Sequence, residues 1–498
     1  MGYQGTIPTS SRSGRLAYVT EKDYSFQAED VEKLKDRKGR LNASQMGTGK
    51  TYMGAELDLE TDTTGATLVV SPLGNFDNWK ERFEDRNVPV YEVDPKDRDG
   101  SFRRFRNAKV PQGHKVFIAH WQALRLMPAL SVVSREKPFG HIIADEVHRM
   151  QGRKTKQTRA LKAIRANFRT GLSGTPVTAS PAGYWSVLNW LYPDQYTSFW
   201  KFFDQFVDFE LQYTANGAYK KVKGVKDEDL LLKQIEPYYV RHLKREQCCP
   251  WHPEGVMPWL PDKYYSTKWV DLTPQQRKAY HSMEKDMLSW VGTHEDEPLA
   301  AGAAIAQLTR LQQFAMAYAT IDDGKIRLAE PSSKLDAVYE ILEEALDNGE
   351  ALVIFSQFSQ AISLLAERMR KMGSKVKWGT YTGQNRSERE GVKRAFANGD
   401  LDVFAGTIQA GGEAIDGLQN YCSTMVFLDR TWSSSANNQA EDRLDRDGQT
   451  KPVHIIDIMA RNTVDLGRRQ KLINQWAWIR KMLGDEKGRI QDEVTQGR

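Results

Sequence analysis

Apolar residues in the first third of the chain gather in short runs at 40–44, 67–71, 115–119, 141–144 and 169–173, separated by polar stretches long enough to be helices. Runs of that length with little polar alternation predict strands buried on both faces, the pattern of a parallel sheet with helical crossovers. The pattern breaks at Pro181. From there to Pro261 the chain is irregular and carries Tyr184, Trp185, Trp190, Tyr192, Phe199, Trp200, Phe202, Phe203 and Phe206, and helix-like stretches follow at 274–291 and 300–319. These predict helical insertions between two sheets, with the aromatics as core rather than as a base-stacking platform. Alternation returns after Pro331-Ser332-Ser333, where a serine can cap a helix, and strands are predicted at 352–356, 402–406, 424–428 and 453–457. The expected organisation is an α/β unit over 1–180, insertions and a linker over 181–330, a second α/β unit over 331–466 and a terminal helix or tail over 467–498.

Composition narrows the class. The 498 residues are 40% hydrophobic and 27% charged, enough apolar side chain for full cores and too much charge for a membrane bundle. No apolar run approaches the roughly 20 residues that cross a bilayer, so no membrane association is expected. Three cysteines, with Cys248 and Cys249 adjacent, cannot build a disulfide framework and point to a reducing, cytoplasmic setting. The same adjacency makes a zinc site with His242 and His252 a poor reading. A net charge of +5 is compatible with a polyanionic partner. Local clusters strengthen that: eight basic and no acidic residues lie between Arg149 and Arg169, and Arg103, Arg104, Arg106 and Lys109 form a second group.

Chemistry enters at Ala43-Ser44-Gln45-Met46-Gly47-Thr48-Gly49-Lys50-Thr51, between a predicted strand and a polar helix. Glycines let the amides of such a loop turn inward around a triphosphate, Lys50 supplies charge to the outer phosphates, and the Thr51 hydroxyl can ligate magnesium. Some ninety residues on, Ile142-Ile143-Ala144 delivers Asp145 and Glu146 to a strand end, where one carboxylate can hold magnesium through water and the other can take a proton from an attacking water. Together these describe a nucleoside triphosphatase. Its transition state needs further positive charge, and Arg443 and Arg446, three apart and so on one helical face, can supply it from across a cleft.

These motifs, in this order, resemble the Swi/Snf-type ATPases of helicase superfamily two. Gln27 is similar to the glutamine that reads adenine in that family, and Met46 to Thr51 to its phosphate loop, although Ser44-Gln45 replaces the usual acidic pair. The most specific stretch is Asp145-Glu146-Val147-His148-Arg149 continuing through Arg153-Lys154-Thr155-Lys156-Gln157-Thr158-Arg159. Leu172-Ser173-Gly174-Thr175-Pro176 resembles the segment that couples nucleotide state to domain movement, and Gln439 with Arg443, Arg446 and Gly448-Gln449 fits the last motif, with Asp445 where histidine is common. In the loop 410–418, Ala414 and Asp416 depart from the family's glycine and asparagine. The resemblance implies two RecA-like parallel-sheet domains in tandem with helical insertions between them. It implies ATP and Mg2+ as cofactors, with catalysis by Glu146, Asp145, Lys50, Arg443 and Arg446, and nucleotide held by Gln27, Gly47, Thr48, Gly49, Lys50, Thr51 and Gln439. Thr51 and Asp145 would hold magnesium, and His148 and Thr175 would couple the domains. DNA contacts are implied at Ser71, Pro72, Asn75, His120, Trp121, Arg153, Lys154, Ser356, Gln357, Thr382, Gly383 and Thr407.

The function this implies is an ATP-driven translocase on double-stranded DNA, working as a monomer. The rivals are a strand-separating helicase, for which no wedge hairpin can be argued, and an ATP-gated DNA scaffold that does not cycle, against which intact Asp145, Glu146 and both arginines stand. Little chain lies outside the motifs, so no appended reader, nuclease or methyltransferase is expected.

Overall fold

The computed structural model describes residues 25–61, 65–93, 115–127, 129–178, 180–214, 217–246, 252, 254–293, 300–371, 376–383, 388–412, 415 and 417–485. Strands β1 Gly39–Asn42, β2 Thr67–Ser71, β3 Val90–Val93, β4 Val116–His120, β5 Phe139–Asp145 and β6 Ala166–Leu172 come first. A hairpin, β7 Val207–Thr214 with β8 Gly217–Val225, precedes the short β9 Tyr239–Val240 and the longer β10 Lys263–Val270. A second hairpin, β11 Tyr318–Asp322 with β12 Lys325–Ala329, leads to β13 Leu352–Ser356, β14 Trp378–Tyr381, β15 Val403–Thr407, β16 Thr424–Phe427 and β17 Val453–Ala460.

Two parallel sheets result. The first runs β3-β4-β2-β5-β6-β1-β9 and the second β10-β17-β16-β13-β15-β14. Each sheet is covered on both faces because alternate residues of its inner strands face opposite ways. Leu68, Val70, Ile142 and Ala144 enter one core of the first sheet, while Val69 and Ile143 enter the opposite one with Trp79 and Phe83. The second sheet repeats this, with Leu352 and Ile354 on one face and Val353 and Phe355 on the other. This is the architecture of two RecA-like domains in tandem.

The region expected to be helical insertions carries helices Tyr184–Leu191, Phe199–Phe206, Glu228–Ile235, Pro274–Thr293 and Ala300–Met316, and it also sends one strand to each sheet. β9 adds to the edge of the first sheet beside β1, and β10 adds to the edge of the second beside β17. Of the aromatics expected to be core, Tyr184, Trp190, Phe202, Phe203 and Phe206 are buried, whereas Trp200 is 56% exposed. The helix Val464–Leu483 starts against the second sheet, where Asp465 is buried beside Lys334 at 2.7 Å, and ends with Ile479, Met482 and Leu483 in the core of the first. Among the described residues, no helix is long and apolar enough to cross a membrane.

Candidate functional site

Sheet order brings the motifs together. β5, β6 and β1 are neighbours, so the segments leaving their carboxyl ends lie side by side: Asp145-Glu146, Ser173-Gly174-Thr175 and the loop 43–49. Ligands of open α/β sheets bind at such strand ends. The loop owes its shape to Gly47 and Gly49, whose φ values of +82° and +84° strain any side chain. A Cβ on Gly49 would also lie 2.2 Å from the amide nitrogen of Gln27, which donates to the Thr48 carbonyl at 2.9 Å. Gln27 therefore packs directly on the loop, at the start of helix Ser25–Leu34. Lys50 opens helix Lys50–Glu60, whose N-terminus favours an anion. Its ammonium donates to the carbonyls of Ser44 and Gln45, both at 2.8 Å. Burial pulls its pKa down to about 8, against the opposing pull of Glu146 and Asp145. Thr51 is half-buried one residue on.

The two adjacent carboxylates sit differently. Oδ2 of Asp145 accepts from the Ser71 hydroxyl at 2.8 Å, the Asn75 amide at 3.0 Å and the Trp79 indole at 3.1 Å, and Trp121 donates to the Asp145 carbonyl at 2.7 Å. Even so, burial and the neighbouring charge of Glu146 push the Asp145 carboxyl above its ordinary pKa. Glu146 has φ +54°, a strained left-handed conformation immediately after the strand. Burial alone would raise its pKa, but the His148 ring, Lys50 and Arg149 outweigh that and bring it down to about 2. His148 Nδ1 lies 3.1 Å from the Glu146 carboxylate and 2.9 Å from the Ser173 hydroxyl. The Thr175 amide donates to that same hydroxyl at 3.2 Å, and Thr175 Oγ1 is 2.5 Å from Ser435 Oγ in the second unit. A continuous polar path thus runs from Glu146 to helix Ser434–Glu441 of the second unit.

The second unit contributes helix Ser434–Glu441 and the residues after it. A Cβ on Gly47 would lie 3.5 Å from Cβ of Arg446, so the arginine stands against the phosphate-type loop. Arg443 is buried, with Nη1 donating to the Ile415 carbonyl of its own unit at 3.2 Å. Gln439 lines a cavity of about 670 Å³ between the units, together with Gln45, Thr175, Lys244 and Asp442.

Several residues expected to touch DNA also make bonds within the protein. Ser71 and Trp121 are fully buried and give their polar hydrogens to Asp145, and Pro72 is buried beside them. Asn75 also donates to Asp145. Ser356 is fully buried and donates to Asp429 at 2.9 Å, repeating in the second sheet the Ser71–Asp145 bond of the first. Ser71, Asn75 and Ser356 thus hold strand-end carboxylates, and Trp121 holds the main-chain carbonyl of Asp145. The Gln357 main-chain amide also donates to Asp429, and Thr382 and Thr407 are buried. The Arg153 guanidinium lies 4.0 Å over the Phe199 ring. Lys154 and Gly383 are exposed, and His120 is half-buried. The cluster at 103–109, the two adjacent cysteines and positions 413, 414 and 416 lie outside the described residues; His242 pairs with Asp30 at 2.9 Å.

Residues 27–317 match the family model of the SNF2-related domain, and 333–448 match that of the helicase conserved C-terminal domain. The chain belongs to the SNF2-related family. This SNF2-related chain is 25% identical over 433 residues to an uncharacterized ATP-dependent helicase of Mycoplasma genitalium, covering 86% of the chain and 38% of that protein. It is 25% identical over 474 residues to the transcription regulatory protein SNF2 of Saccharomyces cerevisiae, covering 90% of the chain and 27% of that protein. It thus spans well under half the length of these relatives. A Sulfolobus solfataricus SWI2/SNF2 ATPase core in complex with dsDNA aligns over 92% of the chain and 96% of its own, with 20% identity and a TM-score of 0.39.

The SNF2-related motifs did not reveal Lys244, Ser435 or Asp485, nor the partners of Arg241. Each acts on a residue some 200 or more positions away, and no local pattern marks such a contact.

Proposed function

We propose that this chain is an ATP-dependent motor that translocates on double-stranded DNA, with ATP hydrolysis stimulated by the DNA. The observation that supports it most is the convergence of three parts at one cleft: the glycine loop with Lys50, the Asp145–Glu146 pair, and Arg446 standing 3.5 Å from the place of a Gly47 Cβ. A triphosphate entering the loop would draw the Lys50 ammonium off the Ser44 and Gln45 carbonyls and onto phosphate oxygens. Gln27, bonded to the loop at Thr48, would report whether a base is seated. Arg446 would meet the outer phosphate from the second unit, and Arg443 would join it by giving up its bond to the Ile415 carbonyl.

The residues fit magnesium. Asp145 is a buried carboxyl whose pKa is raised by burial and by a like charge, the condition that a cation relieves, and Thr51 lies one residue from Lys50. Among the described residues, no three His, Cys, Asp or Glu side chains cluster as metal ligands, so the ion would be held by Thr51 and Asp145 with waters and phosphate oxygens completing its shell. When bound, it neutralises charge on the phosphates. Glu146, ionised down to about pH 2, would orient the attacking water and accept its proton only as the new bond to the outer phosphorus forms and the bond from that phosphorus to the leaving diphosphate breaks.

DNA as the track is supported by exposed basic residues, with Lys154, Lys156 and Arg159 facing solvent on the segment and helix that follow Asp145 and Glu146, and Arg165 exposed beyond that helix at the opposite end of the sheet. Such a surface neutralises phosphates without reading bases, which makes binding steeply salt-dependent. The printed name of one relative, an ATP-dependent DNA helicase of Arabidopsis thaliana that is 24% identical over 457 residues, points to the same substrate. The test is ATP turnover with duplex, single-stranded and forked DNA and with RNA, alongside displacement of a triplex-forming strand. Duplex-stimulated turnover with triplex displacement and no separation of a fork supports the motor. Fork separation makes it a helicase, and DNA binding without turnover makes it a scaffold.

A further inference from the structure

We propose that Lys244 is a positioning residue that sets the arginine-bearing segment against the phosphate loop, with Asp442 and Asp445 as its partners. The proposal rests on the ATP-hydrolysis reading above and adds to it a residue outside every motif in that reading. Lys244 follows β9 on the first unit. Its backbone amide donates to Oε1 of Gln45 in the loop at 2.6 Å, and its Cε would lie 3.7 Å from a Cβ on Gly47. From that fixed base its ammonium crosses to the second unit, donating to Asp442 Oδ1 at 2.7 Å and to the Asp445 carbonyl, with the Asp445 carboxylate 3.7 Å away. Asp442 and Asp445 immediately precede Arg443 and Arg446. One lysine, anchored to the loop, therefore fixes the register of both arginines.

The surroundings favour a positioning role over a stabilising one. The Lys244 side chain is only 3% exposed, and a buried ion pair gains little net stability because desolvation offsets the attraction, whereas fixing register is its best-attested use. Asp445 is further matched by Arg245 at 2.5 Å and Lys263 at 3.9 Å, and these cations with Lys244 overcome burial to hold its carboxyl well below the ordinary range. A carboxylate at this point is thus what the local charge demands.

The test compares full-length wild type with Lys244→Met, Lys244→Arg and Asp445→Asn. Lys244→Met should lower kcat for ATP by about tenfold or more while KM for ATP changes by less than about threefold, since a small misplacement of a transition-state group costs rate rather than ground-state binding. Lys244→Arg should recover most of the loss, and Asp445→Asn should lower kcat in the same direction. A pair that serves only the fold would instead lower the melting temperature and leave kcat below that temperature untouched; kcat of Lys244→Met within about twofold of wild type overturns the proposal. Pulsed spin-label distances between exposed Glu84 and Glu344 provide a readout independent of turnover. Lys244→Met should broaden that distribution in the nucleotide-free protein, and an unchanged distribution overturns the proposal even if the wild type proves not to hydrolyse ATP. If Lys244→Met does not fold, Lys244→Arg and Asp445→Asn carry the same two readouts.

Discussion

Two carboxylates adjacent in sequence divide the work at the strand end because their donors differ. Asp145 is held by three neutral donors and is buried, so its charge is costly and a cation is welcome. Glu146 faces charged groups and stays ionised. Glu146→Gln keeps the shape but loses the charge, and should cut DNA-stimulated turnover by about 10²-fold or more with the melting temperature nearly unchanged; turnover close to wild type would remove Glu146 from the mechanism. Lys50 yields a pH prediction. Its folded pKa of about 8 lies below the ordinary 10.5, so the unfolded chain binds more protons between these values and the stability of the free protein rises with pH across that window. Phosphate binding needs the charged form, so ATP affinity should fall as pH climbs through about 8. Lys50→Arg, which stays charged, should flatten that profile in a titration with a fluorescent ATP analogue. This part of the site was legible in the sequence because glycines, lysine and threonine must be contiguous to wrap a phosphate, and the acid pair must end a strand. The donors Ser71 and Asn75 were legible as implied DNA contacts but not as partners of Asp145, since their pairing depends on β2 lying beside β5.

At the scale of elements, the inner strands could be read from the sequence because burial on both faces forces continuous apolar runs. β10, with the sequence Lys-Tyr-Tyr-Ser-Thr-Lys-Trp-Val, could not, since an edge strand with one wet face alternates and carries lysine. β9, only two residues long, leaves no pattern at all. Yet β9 is what carries Arg241 and Lys244 up to the loop. The same limit applies to the bond between Thr175 and Ser435, which joins the strand-end segment after β6 to helix Ser434–Glu441 over 260 positions. Thr175→Val and Ser435→Ala should each leave ATP binding intact and lower the stimulation of turnover by DNA. In a double-mutant cycle the second change should add little to the first, with a coupling of about 0.5–1.5 kcal/mol for one buried hydrogen bond. Fully additive effects would mean that the two hydroxyls act separately.

At the scale of the whole molecule, the helix Val464–Leu483 ties the sheets together. A helix of 20 residues is about 30 Å long, enough to start in one core and finish in another. Its far end does more than pack. Beyond Gly484, Asp485 makes a two-pronged ion pair with Arg241, Nε to Oδ1 at 2.5 Å and Nη2 to Oδ2 at 2.7 Å, and both side chains are at most 6% exposed. Arg241 Nη1 in turn donates to the carbonyls of Ala43 and Gly174, at the root of the phosphate loop and of the Thr175 segment. The residue just beyond a helix rooted in the second unit thereby neutralises the cation that holds two site loops of the first. Asp485→Ala would leave that guanidinium buried without its counter-charge, a loss of about 3–5 kcal/mol in urea unfolding. Arg241→Met combined with Asp485→Leu should recover much of that stability, because an apolar pair carries no desolvation penalty. Turnover in the double variant should nevertheless stay low, since the carbonyls of Ala43 and Gly174 would have lost their shared donor. Stability and turnover recovering together would mean that the pair serves packing alone and that the loops keep their shape without it.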